Sequence, residues 1–92
     1  PVLVLVFKEK AEEWNIGDNL SIGACIENML LQATELNVDS LWIRDTYCVA
    51  KELAEKYNQD KELVCSVAFG YGAEAPNARP RKPMKDIVTW IQ

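Results

Sequence analysis

At 92 residues the chain is one small domain at most, yet 49% of it is hydrophobic, more than so short a chain readily hides from water. The net charge is −4 and there is no histidine, so the commonest zinc ligand and the commonest general base are both missing, and the acidic total argues against nucleic acid as a partner. Three cysteines stand far apart with no CxxC pair, which predicts reduced, buried thiols in a cytoplasmic protein and no metal site, and no apolar run approaches the ~20 residues that cross a membrane.

The chain opens on Pro1 and runs at once into V-L-V-L-V-F, residues 2–7. That continuous apolar run predicts a strand covered on both faces, as in the middle of an α/β sheet. So apolar a beginning reads as a piece of a larger protein or one half of an intimate oligomer; the alternative is a compact domain that has lost its initiator Met. Lys8 to Gly17 is charged and then turn-like, and Asp18, Asn19 or Ser21 is placed to cap the helix that follows. That helix is expected from about Leu20 to Leu36. Ile22, Ile26, Met29, Leu30, Ala33 and Leu36 follow the 3.6-residue period, and Ala24, Cys25 and Leu31 widen the stripe nearly all the way round. Such a helix should be buried on several sides, in a large core or across a subunit interface, with Gly23 leaving room for another backbone or a ligand.

Asn37 to Asp39 makes a turn, S40-L-W-I-R44 reads as a second strand, and Asp45-Thr46 as the cap of an ordinary amphipathic helix reaching about Tyr57. Ala50, Leu53, Ala54 and Tyr57 should face inward on it, and Lys51, Glu52, Glu55 and Lys56 outward. After a loop to Lys61, Leu63 to Phe69 is another core strand, ended by G70-Y-G72. Ala73 to Pro83 is an extended tail held open by Pro76, Pro80 and Pro83, and D86-I-V-T-W-I91 reads equally as a terminal helix or a short strand. The order implies an α/β (α+β) fold, with a mixed sheet. The first two strands are too apolar for edges in water, so more chain must cover them.

Without histidine there is no Ser-His or Cys-His pair, and no G-x-S-x-G occurs. Glu9, Glu12 and Glu13 precede a loop and read as solvated surface; Lys51/Glu55 and Glu52/Lys56 read as helix-face pairs. G70-Y-G72 completes neither a dinucleotide fingerprint nor a Walker loop. What stands out is R79-P-R-K-P83: Arg79, Arg81, Lys82 and Lys85 lie within seven residues that hold no acid. Arginines spaced by proline present rigid forks suited to phosphate oxygens. A solvated basic run and a surface for an acidic protein partner are the competing readings.

The segments I26-x-N-M-L-L-Q-A-x-E-L-N-V-D-S-L-W-I43, E62-L-V-C-S-V-A-F-G-Y-G-A-E-A-P76 and R79-P-R-K-P83 together resemble the C-terminal half of the nitroreductase family, FMN-dependent NAD(P)H oxidoreductases. The resemblance implies a nitroreductase-like sheet flanked by helices, of which this chain is the C-terminal part of a single FMN-binding domain. It also implies an intertwined homodimer of chains about twice this length, with FMN at the interface and the long helix packed there. Carried across, Trp42, Ile43, Arg44 and Asp45 fall where the family faces the flavin ring, and Arg79 and Arg81 where it binds the FMN phosphate. Many members carry glycine at the position of Asp45, and the family's R-x-S-x-R type segment is absent here. NAD(P)H would reduce the flavin and a nitroaromatic, quinone or similar electron-poor acceptor would reoxidise it, with no catalytic side chain required and Arg44 favouring an anionic reduced ring. The alternative is a non-catalytic flavin- or nucleotide-binding or self-associating fragment.

Overall fold

The strand at the middle of the sheet is the last one in sequence. In the computed structural model, which describes residues 1–11, 13 and 15–92, the elements run β1 (Val2–Lys8), α1 (Ile16–Glu35), β2 (Asp39–Ile43), a 3-10 turn (Asp45–Val49), α2 (Ala50–Lys56), β3 (Glu62–Gly70) and a second 3-10 turn (Met84–Asp86). The sheet order is β1-β3-β2, and both outer strands pair antiparallel with β3. This is the expected α/β class, a small sheet flanked by helices. The mixed pairing is not found among the described residues: β1 and β2 run the same way, but β3 is inserted between them. The position expected of the first strand is corrected too. β1 is an outer strand, and Val2 and Leu3 at its start are exposed. A continuous apolar run marks a strand, but not which neighbours it has or how far they cover it.

Register assigns the two faces, because paired residues point the same way and alternate residues oppose. Val4, Val6, Trp42, Cys65 and Val67 share one face. Against it α1 lays Ile26, which is buried with Cys65 and Val67, and Ile22 and Leu30 pack alongside, each one turn away. The other face carries Leu5, Ile43 and Ser66, and α2 with the 3-10 turn before it packs on β3. A bulge between Val6 and Phe7 pairs them with Cys65 and Leu63, leaving Val64 as the extra residue and turning Leu63 inward.

Helix α1 begins at Ile16, earlier than Leu20. Gly17 sits in the first turn, where backbone N–H groups lack intrahelical partners anyway, and Asp18 there complements the helix dipole. Asn15, at its N-cap, makes no side-chain capping hydrogen bond among the described residues. Both α-helices end in the same way. Asn37 and Asn58 take positive φ (56° and 53°). The N–H of Val38 then donates to Ala33 O and that of Gln59 to Ala54 O, each at 2.8 Å, closing the last turn. On α2 the inward set is Ala50, Leu53 and Ala54 as expected; Tyr57 is exposed, and the Lys56 ammonium lies 5.6 Å from its ring centre.

Beyond β3 the chain leaves the domain as an arm. From residue 71 to 92 every residue is exposed except the half-buried Val88, and beyond the turn at Met84–Asp86 the end is neither helix nor strand. The radius of gyration is 16.4 Å, against about 12 Å for a compact domain of this length. The accessible surface is 8260 Å², against about 5,400 Å² for a folded monomer of this mass. The expectation that α1 is buried on several sides holds on the sheet side alone: Ile26 and Ala33 are buried, while Ile16, Leu20, Leu31 and Leu36 are exposed. Among the described residues no helix is long and apolar enough to cross a membrane.

Candidate functional site

The corner at the end of β2 gathers four of the predicted site residues. Trp42 lies on the α1 face of the sheet, with its ring 3.7 Å from where a Cβ on Gly23 would stand. The room at Gly23 is thus taken up by the Trp42 indole. Burial pushes the Cys65 thiol up, and the Trp42 indole beside it draws it partly back. Ile43 is half-buried on the opposite face. Arg44 and Asp45 then turn outward, exposed, and pair with each other at 3.2 Å.

The chain turns into the 3-10 segment by donation from Tyr47 N–H to Arg44 O, 3.1 Å. Thr46 was expected to cap a helix. Its hydroxyl lies instead 3.3 Å from Ile43 O and 2.5 Å from the hydroxyl of Ser66 on β3. Sequence reasoning missed Ser66, Thr46 and Cys65 as parts of this corner. One signal was available: a lone serine inside L-V-C-S-V-A-F is a buried hydroxyl that must find a partner.

Arg79 and Arg81 lie on the extended arm, exposed like Lys82 and Lys85, and no ion pair or hydrogen bond among the described residues engages any of the four. Trp42 to Asp45 thus lie together at the end of β2, and no ion pair or hydrogen bond among the described residues joins Arg79 or Arg81 to them. The arm's root is fixed: Gly72 N–H donates to the Asp39 carboxylate at 2.6 Å. A Cβ at Gly72 would stand 3.0 Å from that oxygen and 3.3 Å from Glu74 O, so a side chain there would press on both and the neighbours would have to give by a few tenths of an ångström.

Other predicted groups find ordinary roles. Glu9 pairs with Lys61 at 3.0 Å and raises its pKa, Glu13 is exposed, and Glu12 lies outside the described residues. The helix-face pairs of α2 form no ion pair among the described residues. Of the thiols expected to be buried, only Cys65 is; Cys25 and Cys48 sit on outward helical positions and are exposed. An apolar groove of about 730 Å³ runs along α1 between Cys25, Met29, Leu36 and Phe69, and a mixed-charge cleft of about 890 Å³ opens beside α2. Neither is lined by the predicted site residues.

Comparison with protein-family models gives a match. The family model described as "Putative TM nitroreductase" covers residues 4–92, nearly the whole chain. No curated protein matches.

Proposed function

The chain belongs to this nitroreductase family, and from that premise we propose that it supplies the flavin-ring corner and the phosphate-binding arm of an FMN-dependent NAD(P)H oxidoreductase of the cytoplasm. The acceptor is a nitroaromatic, a quinone or a similarly electron-poor small molecule. The observation that carries the reading is the family match itself, which runs continuously through both the Trp42–Asp45 corner and the R79-P-R-K-P83 run.

Arg79 and Arg81 are the groups proposed to hold the phosphate. Their guanidinium groups have no internal partner among the described residues, and Pro80 between them restricts the backbone, so little order is lost when an anion is bound. Trp42 through Asp45 are proposed to line the ring, with the Arg44 guanidinium at the outer surface of the corner to favour negative charge there. Bound FMN would supply the two-electron relay between nicotinamide and acceptor, so the protein's task is to bind, orient and tune. The donor set fits a phosphorylated flavin in its chemistry, but one chain does not close a cradle around it. The uncovered apolar side of α1 and the unpacked arm support a homodimer as the form that completes the site.

The test is an FMN titration of the wild type and of Arg79→Ala and Arg81→Ala, followed by flavin fluorescence at several salt concentrations. Each substitution should weaken binding about tenfold or more, as expected for one charge-assisted contact, and should flatten the salt dependence. Unchanged affinity in both variants would remove the arm from the phosphate site. A second reading, a self-associating chain without turnover, rests on that same uncovered face of α1; it predicts a colourless dimer.

A further inference from the structure

The corner at Trp42–Asp45 is held from the inside by a pair of hydroxyls that no part of the flavin reading assigns. Ser66 is the buried polar side chain of the sheet, 1% exposed, on the central strand, and its register neighbours Leu5 and Ile43 offer no polar side chain. Among the described residues its hydroxyl meets that of Thr46 alone, 2.5 Å away, and Thr46 Oγ also lies 3.3 Å from Ile43 O. A hydroxyl carries one proton, so the bonds have a direction. Thr46 donates to the Ile43 carbonyl, and Ser66 donates to Thr46.

This short relay spans the four residues in which the chain passes from strand to 3-10 turn. It fixes the Ile43 carbonyl, and with it the peptide leading into Arg44, while drawing residue 46 inward. Arg44 and Asp45 are left to face outward. On the opposite face the next residue of the same strand, Cys65, sits beside the Trp42 indole. Adjacent residues of β3 thus hold the two ends of the corner.

We propose that the Thr46–Ser66 hydroxyl pair positions the Trp42–Asp45 corner for its ligand, acting on the ring only through the backbone it orients. The cofactor part rests on the flavin reading above; the claim that the hydroxyls hold the corner does not. The test compares Thr46→Val, Thr46→Ser and Ser66→Ala with the wild type, after thermal melts confirm that each folds. Trypsin cleavage after the exposed Arg44 reports the corner without any ligand, and cleavage after Arg81 on the arm is the internal control. In Thr46→Val, cleavage after Arg44 should rise about tenfold, roughly the loss of one good hydrogen bond, with Arg81 unaffected; Thr46→Ser should restore it, and Ser66→Ala should fall between. The FMN dissociation constant should rise about five- to tenfold in Thr46→Val and recover in Thr46→Ser, with the visible circular dichroism of bound FMN altered in the first only. Equal cleavage in all variants, or a Thr46→Ser protein as loose as Thr46→Val, overturns the role of the hydroxyls. Absence of FMN binding by the wild type overturns the flavin reading and the cofactor part, while the cleavage comparison still decides whether the relay holds the corner.

Discussion

Helix α1 has two apolar sides, and substitutions on each should behave differently. Leu20 and Leu31 are eleven residues apart, close to three turns, and so lie on one side of the helix; Ile26 faces away from them into the sheet. Ile26 is 1% exposed, and Ile26→Ala should cost about 2–5 kcal/mol from lost burial and the cavity left behind. That is a large part of the ~5–14 kcal/mol available to a chain of this length. Leu31 is 60% exposed in the single chain, so Leu31→Ala should cost the monomer less than about 0.5 kcal/mol. Full burial of a leucine contributes about 1.5–3 kcal/mol. If a second copy covers the exposed part, the substitution costs about 1–2 kcal/mol per chain, and two-fold symmetry doubles it to about 2–4 kcal/mol of dimer stability. Urea unfolding at several protein concentrations separates these cases, because a dimer's midpoint rises with concentration. The account predicts that Leu31→Ala lowers the midpoint and weakens its concentration dependence, while Ile26→Ala lowers it at every concentration. A midpoint independent of concentration, with Leu31→Ala silent, would refute α1 as a partner surface. An Ile26→Ala cost under about 1 kcal/mol would refute the packing of α1 on the sheet.

Gly23→Ala should stabilise the protein by about 0.5–1 kcal/mol, since an interior helical glycine is unfavourable and the added methyl meets Trp42 at an ordinary 3.7 Å; a thermal melt several degrees above wild type is expected. Asn58→Ala, at a φ of 53°, should cost about 1 kcal/mol, and Asn58→Gly should cost nothing or stabilise, as read by urea unfolding. Labelling with a thiol reagent at pH 8 should show Cys25 and Cys48 reacting fast and Cys65 slowly. Because the folded Cys65 pKa is raised, its contribution to stability is complete below the pKa of the unfolded thiol, about 8.5. It is lost as pH rises through the folded value, so a wild type that loses stability above that pH faster than Cys65→Ala does is the expected result.

The elements were largely legible. The run at 63–69, the proline-held arm and three of the four residues expected inward on α2 (Ala50, Leu53 and Ala54, but not the exposed Tyr57) follow from local pattern and are present. Strand order was not legible, because an apolar run marks a strand without recording its neighbours. The residues that seemed to break α1, Asn15 and Gly17, lie where a helix tolerates them. The site was legible only through resemblance. Nothing in S40-L-W-I-R44 alone marks a cofactor contact, and the hydroxyl pair beneath it joins residues twenty positions apart, which no local pattern encodes. The end at 86–91 stayed ambiguous because its β-forming residues have no partner strand among the described residues.

The most direct measurement of the central claim is the visible absorbance spectrum of the purified protein, taken with its molar mass in solution. The account predicts a yellow dimer with near-stoichiometric FMN, released when the phosphate contacts of Arg79 and Arg81 are removed. A colourless protein that takes up no FMN on titration would contradict it.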